Sequence, residues 1–319
     1  MSMGSRVFGA LLSPALSSRR GKRGRGCCCE TLKSYSPFRL PFLTMSKPAV
    51  SLSLCAFLGV LLLAQPCSSA PRPLINAHAH NDYEHPRPLL DALDHGFCSV
   101  EADIYLVEGQ LLVAHDRGDV SKERTLQALY LDPLLARVKK NQGAVYPQGP
   151  EFTLLIDIKS NAEETYAVLR EVLKKYSEML TVFRPDKTEP HAVTIILSGN
   201  RPKATVAGEA LRHVSIDGRL TDLAGTDSRH LIPLISDNWA NHFQWRGVGP
   251  LPEDEKTKLK RMVEQAHQSG RRIRFWAAPD TLAVWGEFQA AGVDLLNTDS
   301  LAGLQRFLRQ RTGRAQPQR

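Results

Sequence analysis

At 319 residues, 42% of them hydrophobic, the chain has room for one large α/β domain or two smaller ones. Its formal net charge of +8 is local: of 41 lysines and arginines and 33 acids, nine and one fall in the first 70 residues, leaving 32 of each beyond. The body is electrically balanced, so the sequence pI near 9.2 gives no ground for nucleic acid as a partner.

Residues 1–44 have neither a signal core nor folded-domain patterning. They read as a disordered extension or a mis-assigned start. From Met45 the chain carries Lys47, an apolar run over 49–64, and then small polar residues through Ser68, Ser69 and Ala70. That is the order of a secretory signal, and the run is slightly short for a membrane span. Residues 45–70 are therefore expected to be a signal peptide and the mature protein to be secreted or otherwise extracytoplasmic, the alternative being an uncleaved signal anchor. Cleavage would remove Cys27, Cys28, Cys29, Cys55 and Cys67. It would leave Cys98 alone in an apolar strand, with packing as its role and no disulfide partner.

Beyond residue 70 short apolar runs alternate with helical stretches. Strands are expected at 74–78, 98–104, 111–115, 152–158, 192–198, 213–217, 232–236, 272–277 and 293–297. Helices are expected at 87–95, 162–180, 202–211, 255–269, 281–291 and 300–310. Over 162–180, Tyr166, Leu169, Val172, Leu173, Tyr176 and Leu180 recur at helical spacing, marking a core face. Repeated strand–helix units argue for a parallel sheet, and about eight of them favour a closed α/β structure, a parallel (β/α)8 TIM-type barrel. One connection breaks the rule. The few residues around Glu108-Gly109-Gln110 are too short for a parallel crossover, so the second and third strands form a hairpin with Gly109 in its turn. The barrel is expected over 71–311, followed by a disordered tail over 312–319, and nine strand candidates leave open which eight close.

The chemistry lies in pairs spaced two apart at the ends of apolar runs: His78 and His80, Glu101 and Asp103, Asp157 and Lys159. Residues i and i+2 of a strand face the same way, so each pair aims at one place. Carboxylates held together in a partly buried site repel one another and lose hydration, a cost relieved by a cation or a shared proton. A further strand delivers His115-Asp116. Histidines, paired acids and a lysine at strand ends indicate a metal-assisted hydrolytic site, and all-oxygen ligands favour Mg²⁺ or Ca²⁺. The competing reading of Glu101 and Asp103 is a buried salt bridge with Lys159, and that of His78, His80 and His115 is satisfied core histidines. His191 precedes its strand and belongs to the opposite face, while His85, His95, His230 and His267 read as surface or loop residues. Ser198 and Asp217 are supporting groups or turn residues. Trp239, Phe243 and Trp245 either cap the site or pack locally.

The strings NAHAHNDY (76–83), GFCSVEADI (96–104), LLVAHD (111–116) and LLIDIK (154–159) resemble the glycerophosphodiester phosphodiesterase and phosphatidylinositol phospholipase C-like superfamily. HAHNDY with SVEAD is most similar to the branch that includes the altered inheritance of mitochondria protein six group, and the resemblance runs over roughly 74–300. It implies that His115 and one first-strand histidine are the catalytic acid and base, with His78 preferred to His80 because it follows the strand as the family's first histidine does. It further implies Glu101 and Asp103 as metal ligands, Asp157 in place of the usual Glu of a Glu-x-Lys motif, and Lys159 holding the phosphate. The chain departs from the pattern in lacking His-Arg-Gly and in the shorter Asp157. The substrate would be a small-molecule or lipid phosphodiester, with transient membrane contact and either a hydrolysed or a cyclic product. Two rivals stand beside this: an amidohydrolase-type metal hydrolase, which would need histidines where Ser198 and Asp217 stand, and a non-catalytic exported barrel that binds metal or phosphate.

Overall fold

A computed structural model describes residues 71–314. The strands are β1 (Leu74–Ala79), β2 (Phe97–Val107), β3 (Gln110–Val113), β4 (Phe152–Ile158), β5 (Val182–Phe183), β6 (Thr188–Glu189), β7 (Val193–Gly199), β8 (Val214–Gly218), β9 (Leu234–Asn238), β10 (Arg272–Trp276) and β11 (Leu296–Thr298). The α-helices are α1 (Leu90–Asp94), α2 (Asp132–Lys140), α3 (Ala162–Lys174), α4 (Lys203–Gly208), α5 (Trp239–His242), α6 (Glu253–Gln268), α7 (Leu282–Ala291) and α8 (Leu301–Arg314).

Eight strands run parallel in the order β10-β9-β8-β7-β4-β2-β1-β11, and a parallel bridge from Arg274 to Leu295 joins the two ends. The result is a TIM-type (β/α)8 barrel. The ninth strand candidate is β3, which pairs only with β2, antiparallel. Val107 faces Gln110 across a two-residue turn in which Glu108 (φ 50°) and Gly109 (φ 77°) are both left-handed. Two positive φ angles define the type I′ turn whose twist matches a hairpin, and glycine accepts that conformation at no steric cost.

Along each strand the alternation splits inward from outward. Leu155, Ile196, Leu234 and Leu295 form a separate buried cluster. Each stands two residues before a polar group, respectively Asp157, Ser198, Ser236 and Asn297, so the apolar layer floors the polar one. Outward-facing strand residues join the helices in the main core, where Tyr166, Leu169 and Leu173 supply the expected stripe of α3. Asn161 caps that helix by accepting a hydrogen bond from Glu164 N–H.

The helix ends at Lys174 rather than 180, and Tyr176 and Leu180 stay buried in the irregular turn beyond it. The sequence reading did not include α2, whose buried Leu134 and Val138 have helical spacing, or the single-turn α5. Among the described residues no helix is long and apolar enough to cross a membrane. The signal peptide at 45–70, the extension at 1–44 and the part of the tail from 315 onward lie outside the described residues.

Candidate active site

Glu101 and Asp103 project from β2, and Asp157 is level with Asp103 on β4. One carboxylate oxygen from each lies within 4.8 Å of the others. Glu101 is 5% exposed and Asp103 1%. Asp103 Oδ2 accepts hydrogen bonds from Tyr83 Oη–H at 2.7 Å and pairs with Lys159 Nζ at 3.1 Å, while its buried Oδ1 has no partner. Burial, reinforced by the charge of Glu101, pushes the Asp103 carboxyl up to about 6 despite Lys159 and Tyr83. Burial also raises Asp157, against the pull of Lys159. An orphaned carboxylate oxygen among three crowded acids is what a divalent cation would satisfy, and a hard all-oxygen set fits Mg²⁺ or Ca²⁺.

Gly199, at the end of β7, has a left-handed φ of 64°, and a Cβ there would overlap Asp157 Oδ1. Only glycine lets the β7 backbone pass so close to that carboxylate.

The structure separates the two first-strand histidines. His78 is fully buried, with Nδ1 2.7 Å from Ser99 Oγ and Nε2 2.5 Å from Arg274 Nη1. A guanidinium only donates, so Nε2 must carry the lone pair and Nδ1 the proton, donated to Ser99. The 3.3 Å approach of Nε2 to Glu101 Oε2 is then a close contact and not a hydrogen bond. Burial and the Arg274 charge lower the His78 imidazole to about 4. His80 instead lines the cleft, with Nδ1 2.8 Å from Asp299 Oδ1. Burial disfavours its imidazolium, yet the Asp299 hydrogen bond and the charges of Glu101 and Asp299 outweigh that and raise its pKa. His115, half-exposed just past β3, lines the same cleft, and its carbonyl accepts from Tyr105 Oη–H at 3.1 Å. Of the residues picked from sequence, His80, His115, Glu101, Asp103, Asp157 and Lys159 meet around one cleft of about 250 Å³. His78, the preferred acid–base histidine of the sequence reading, lies beneath it.

Arg274 is the main group that the sequence reading missed. Its Nη1 donates to Glu101 Oε2 at 3.0 Å and its Nε to Ser236 Oγ at 3.1 Å. Burial alone would raise Glu101, but Arg274 holds it well below the usual carboxylate range. The signal was available: Arg272, Arg274 and Trp276 alternate on β10 as the acids do on β2. Arg219 was missed as well. It pairs with buried Asp217 at 3.1 Å, and Asp217 in turn accepts from Ser198 Oγ at 2.9 Å. Ser198 and Asp217 are thus tied to each other.

The salt-bridge reading is met in altered form, for Lys159 pairs with Asp103 and Asp157 while Glu101 takes Arg274. Trp239, Phe243 and Trp245 pack locally. Trp239 stacks on Phe243 at 3.8 Å between centroids, edge-on to Phe275 and Phe288. His191 is exposed ahead of β7.

Residues 71–217 match the AIM6-like phosphodiesterase domain, and residues 272–302 match the glycerophosphoryl diester phosphodiesterase family. The first span holds the acids, the histidines and Lys159, and the second holds Arg274 and Asp299. The chain is similar to an altered inheritance of mitochondria protein 6 homolog of Arthroderma benhamiae, 28% identical over 71% of this chain and 82% of that protein. It is 32% identical to altered inheritance of mitochondria protein 6 of Lachancea thermotolerans over 70% of this chain and 63% of the relative. Among solved structures it is similar to a glycerophosphodiester phosphodiesterase from Parabacteroides distasonis, with TM-score 0.47 and 15% identity over 76% of this chain and 99% of that one. Another from Agrobacterium tumefaciens has TM-score 0.44 and 14% identity over 73% and 100%.

Proposed function

Since the chain belongs to the glycerophosphodiester phosphodiesterase and phospholipase C-like superfamily, beside the altered inheritance of mitochondria protein six group, we propose that it is a metal-dependent phosphodiesterase with His80 and His115 as acid and base. The observation that carries this reading is the convergence of Glu101, Asp103 and Asp157, with an unpaired buried oxygen on Asp103, in the cleft that both histidines line.

A divalent cation held by the three carboxylates would neutralise charge developing on the phosphoryl oxygens. The remaining work falls to the chain's own side chains. Lys159 and Arg274 present fixed positive charge to a bound phosphodiester, which offsets the desolvation of an anion entering a half-enclosed site. Asp299 anchors His80 through Nδ1, leaving Nε2 to take or give a proton on the cleft side. His115 serves the opposite transfer, one histidine deprotonating the attacking oxygen and the other protonating the leaving oxygen. Each transfer is worth roughly 10²–10⁴-fold in rate. His78 takes no part in proton transfer, because its only cleftward nitrogen is occupied by Arg274. It fixes the guanidinium that faces Glu101.

The same residues serve attack by water, which gives a monoester, and attack by a substrate hydroxyl, which gives a cyclic phosphate. Substrates in this reading are glycerophosphodiesters, phospholipids or related phosphodiesters, met outside the cytoplasm after export and at transient contact with a membrane. Phosphorus NMR of the purified protein with glycerophosphocholine, glycerophosphoinositol and phosphatidylinositol tests it, with Mg²⁺, Ca²⁺ or chelator present. Cleavage with metal that stops with chelator is expected. Metal binding without turnover of any of these would turn the assignment to a binding barrel.

A further inference from the structure

Beside the cleft, at the same end of the barrel, a second basin of about 630 Å³ opens between the loops that follow β4 and β7. That volume is within the range of small-molecule sites, roughly 300–1,000 Å³. Its lining holds three cations, Lys159, Arg201 and Lys203, and no acid. The two loops are tied together, since Asn200 N–H donates to the Ile158 carbonyl at 2.8 Å and its side-chain amide to the Ser160 carbonyl at 3.0 Å. The segment that carries Arg201 is therefore held in place against the one that carries Lys159.

The cations differ in what they already hold. Lys159 pairs with Asp103 and Asp157, Lys203 with Asp222 and Asp227, and Arg219 of the neighbouring cleft with Asp217. The acids whose charge reaches Arg201 are Asp217, Asp222 and Asp157, and each is taken by one of those neighbours. Among the described residues the Arg201 side chain has neither a hydrogen bond nor an ion pair. It is half-buried, and it keeps accessible surface on a basin that it lines. Burial and the charge of Arg219 lower its guanidinium from the ordinary arginine value. A partly desolvated guanidinium, crowded by another cation and lacking an acceptor, is relieved by an anionic ligand.

Basin and cleft meet at Lys159, which lines both, so one molecule can occupy the two together. A diester at the carboxylates would then extend one substituent over Lys159 towards Arg201. The planar donor fork of arginine matches a carboxylate or a phosphate monoester. We infer, resting on the phosphodiesterase reading of the cleft, that this basin is a substrate subsite and that the preferred substrate carries a second anionic group on one substituent, bound by Arg201.

Calorimetric titration with Mg²⁺ present tests this in two matched pairs: glycerophosphoinositol 4-phosphate against glycerophosphoinositol, and glycerophosphoserine against glycerophosphoethanolamine. The proteins are His115→Ala, which keeps the ligands intact, and the same protein with Arg201→Gln added. In at least one pair the member with the additional anionic group should bind about tenfold or more tightly to His115→Ala, and the added Arg201→Gln should abolish that preference. The pair that shows it tells whether the group is a phosphate or a carboxylate. The preference and its loss support the inference even where the wild type turns over none of these diesters, which would instead count against the phosphodiesterase reading. Equal affinities within both pairs, or a preference that survives Arg201→Gln, would overturn the inference, and wild-type turnover of glycerophosphoinositol would leave the phosphodiesterase reading standing. Arg201 makes no side-chain bond within the protein, so its replacement leaves folding intact.

Discussion

Arg274 Nη1 stands 2.5 Å from His78 Nε2 and 3.0 Å from Glu101 Oε2, so one guanidinium lies between an imidazole and a carboxylate inside the barrel. Both contacts are buried, and together they assign the His78 proton to Nδ1. Nitrogen-detected NMR on labelled histidine at neutral pH should show the Nδ1–H tautomer for this ring. An Nε2–H signal would remove His78 from its supporting role.

Replacing His80 or His115 by Ala should lower turnover by roughly 10²-fold or more with folding retained, as loss of a general acid or base does. His191→Ala, ahead of β7 and away from the cleft, should turn over like the wild type. Steady-state rates beside circular dichroism spectra provide the check, and full activity in His115→Ala would break the acid–base pair.

Arg274→Met should destabilise the metal-free protein by about 3–5 kcal/mol, because Glu101 is left buried without a counter-charge. Added Mg²⁺ or Ca²⁺ should restore part of that loss by supplying positive charge to the same carboxylate. Urea unfolding with and without metal measures both effects. Equal loss in the two conditions would show that the cation and Glu101 do not meet.

Gly199→Ala places a Cβ on Asp157 Oδ1 at a left-handed backbone position. Strain and displacement of the carboxylate act together, and metal affinity should fall by about tenfold or more alongside a stability loss of roughly 1–3 kcal/mol. Metal titration calorimetry distinguishes this from a purely structural defect, in which affinity would be unchanged.

Asp82 is fully buried, accepting from Leu89 N–H at 2.5 Å and from Tyr130 Oη–H at 2.9 Å. Burial raises its carboxyl to about 7, those hydrogen bonds notwithstanding. The native state therefore holds a proton that the unfolded chain releases at ordinary carboxylate values. The corresponding stability is complete below that range and is lost as pH rises through about 7. Chemical denaturation between roughly pH 4 and 8 should show this decline, flattened in Asp82→Asn. A wild-type curve with the same pH dependence as the variant would contradict it.

The barrel and most of its site were legible because period-2 spacing marks which strand residues share a face. Glu101 with Asp103 and Asp157 with Lys159 could be read without coordinates, and so could the turn at Gly109. Closure was read from the count of units, but which eight strands close could not be, since the contact from Arg274 to Leu295 joins strands that no local pattern relates. The choice between His78 and His80 also turned on a distant partner. Spacing gives both histidines one face, but Arg274, 196 residues further on, occupies one of them. Two-residue spacing on β10 advertised Arg274 and Trp276, yet arginines on a strand read as surface charge until the fold puts them inside.

The hairpin of β2 and β3 acts as a ruler for the cleft. β3 pairs with no other strand, the Ala114 N–H donates to the Asp103 carbonyl and the Val113 N–H to that of Arg124, so the height of His115 above the carboxylates is metered by the two residues of the turn together with the segment at 124–125. Lengthening the turn at Glu108-Gly109 by one residue would leave the barrel closed while shifting the register that delivers His115 to the acids. The spacing between proton-transfer group and metal ligands is thus adjustable at a point remote from both, by a change in chain length and none in chemistry.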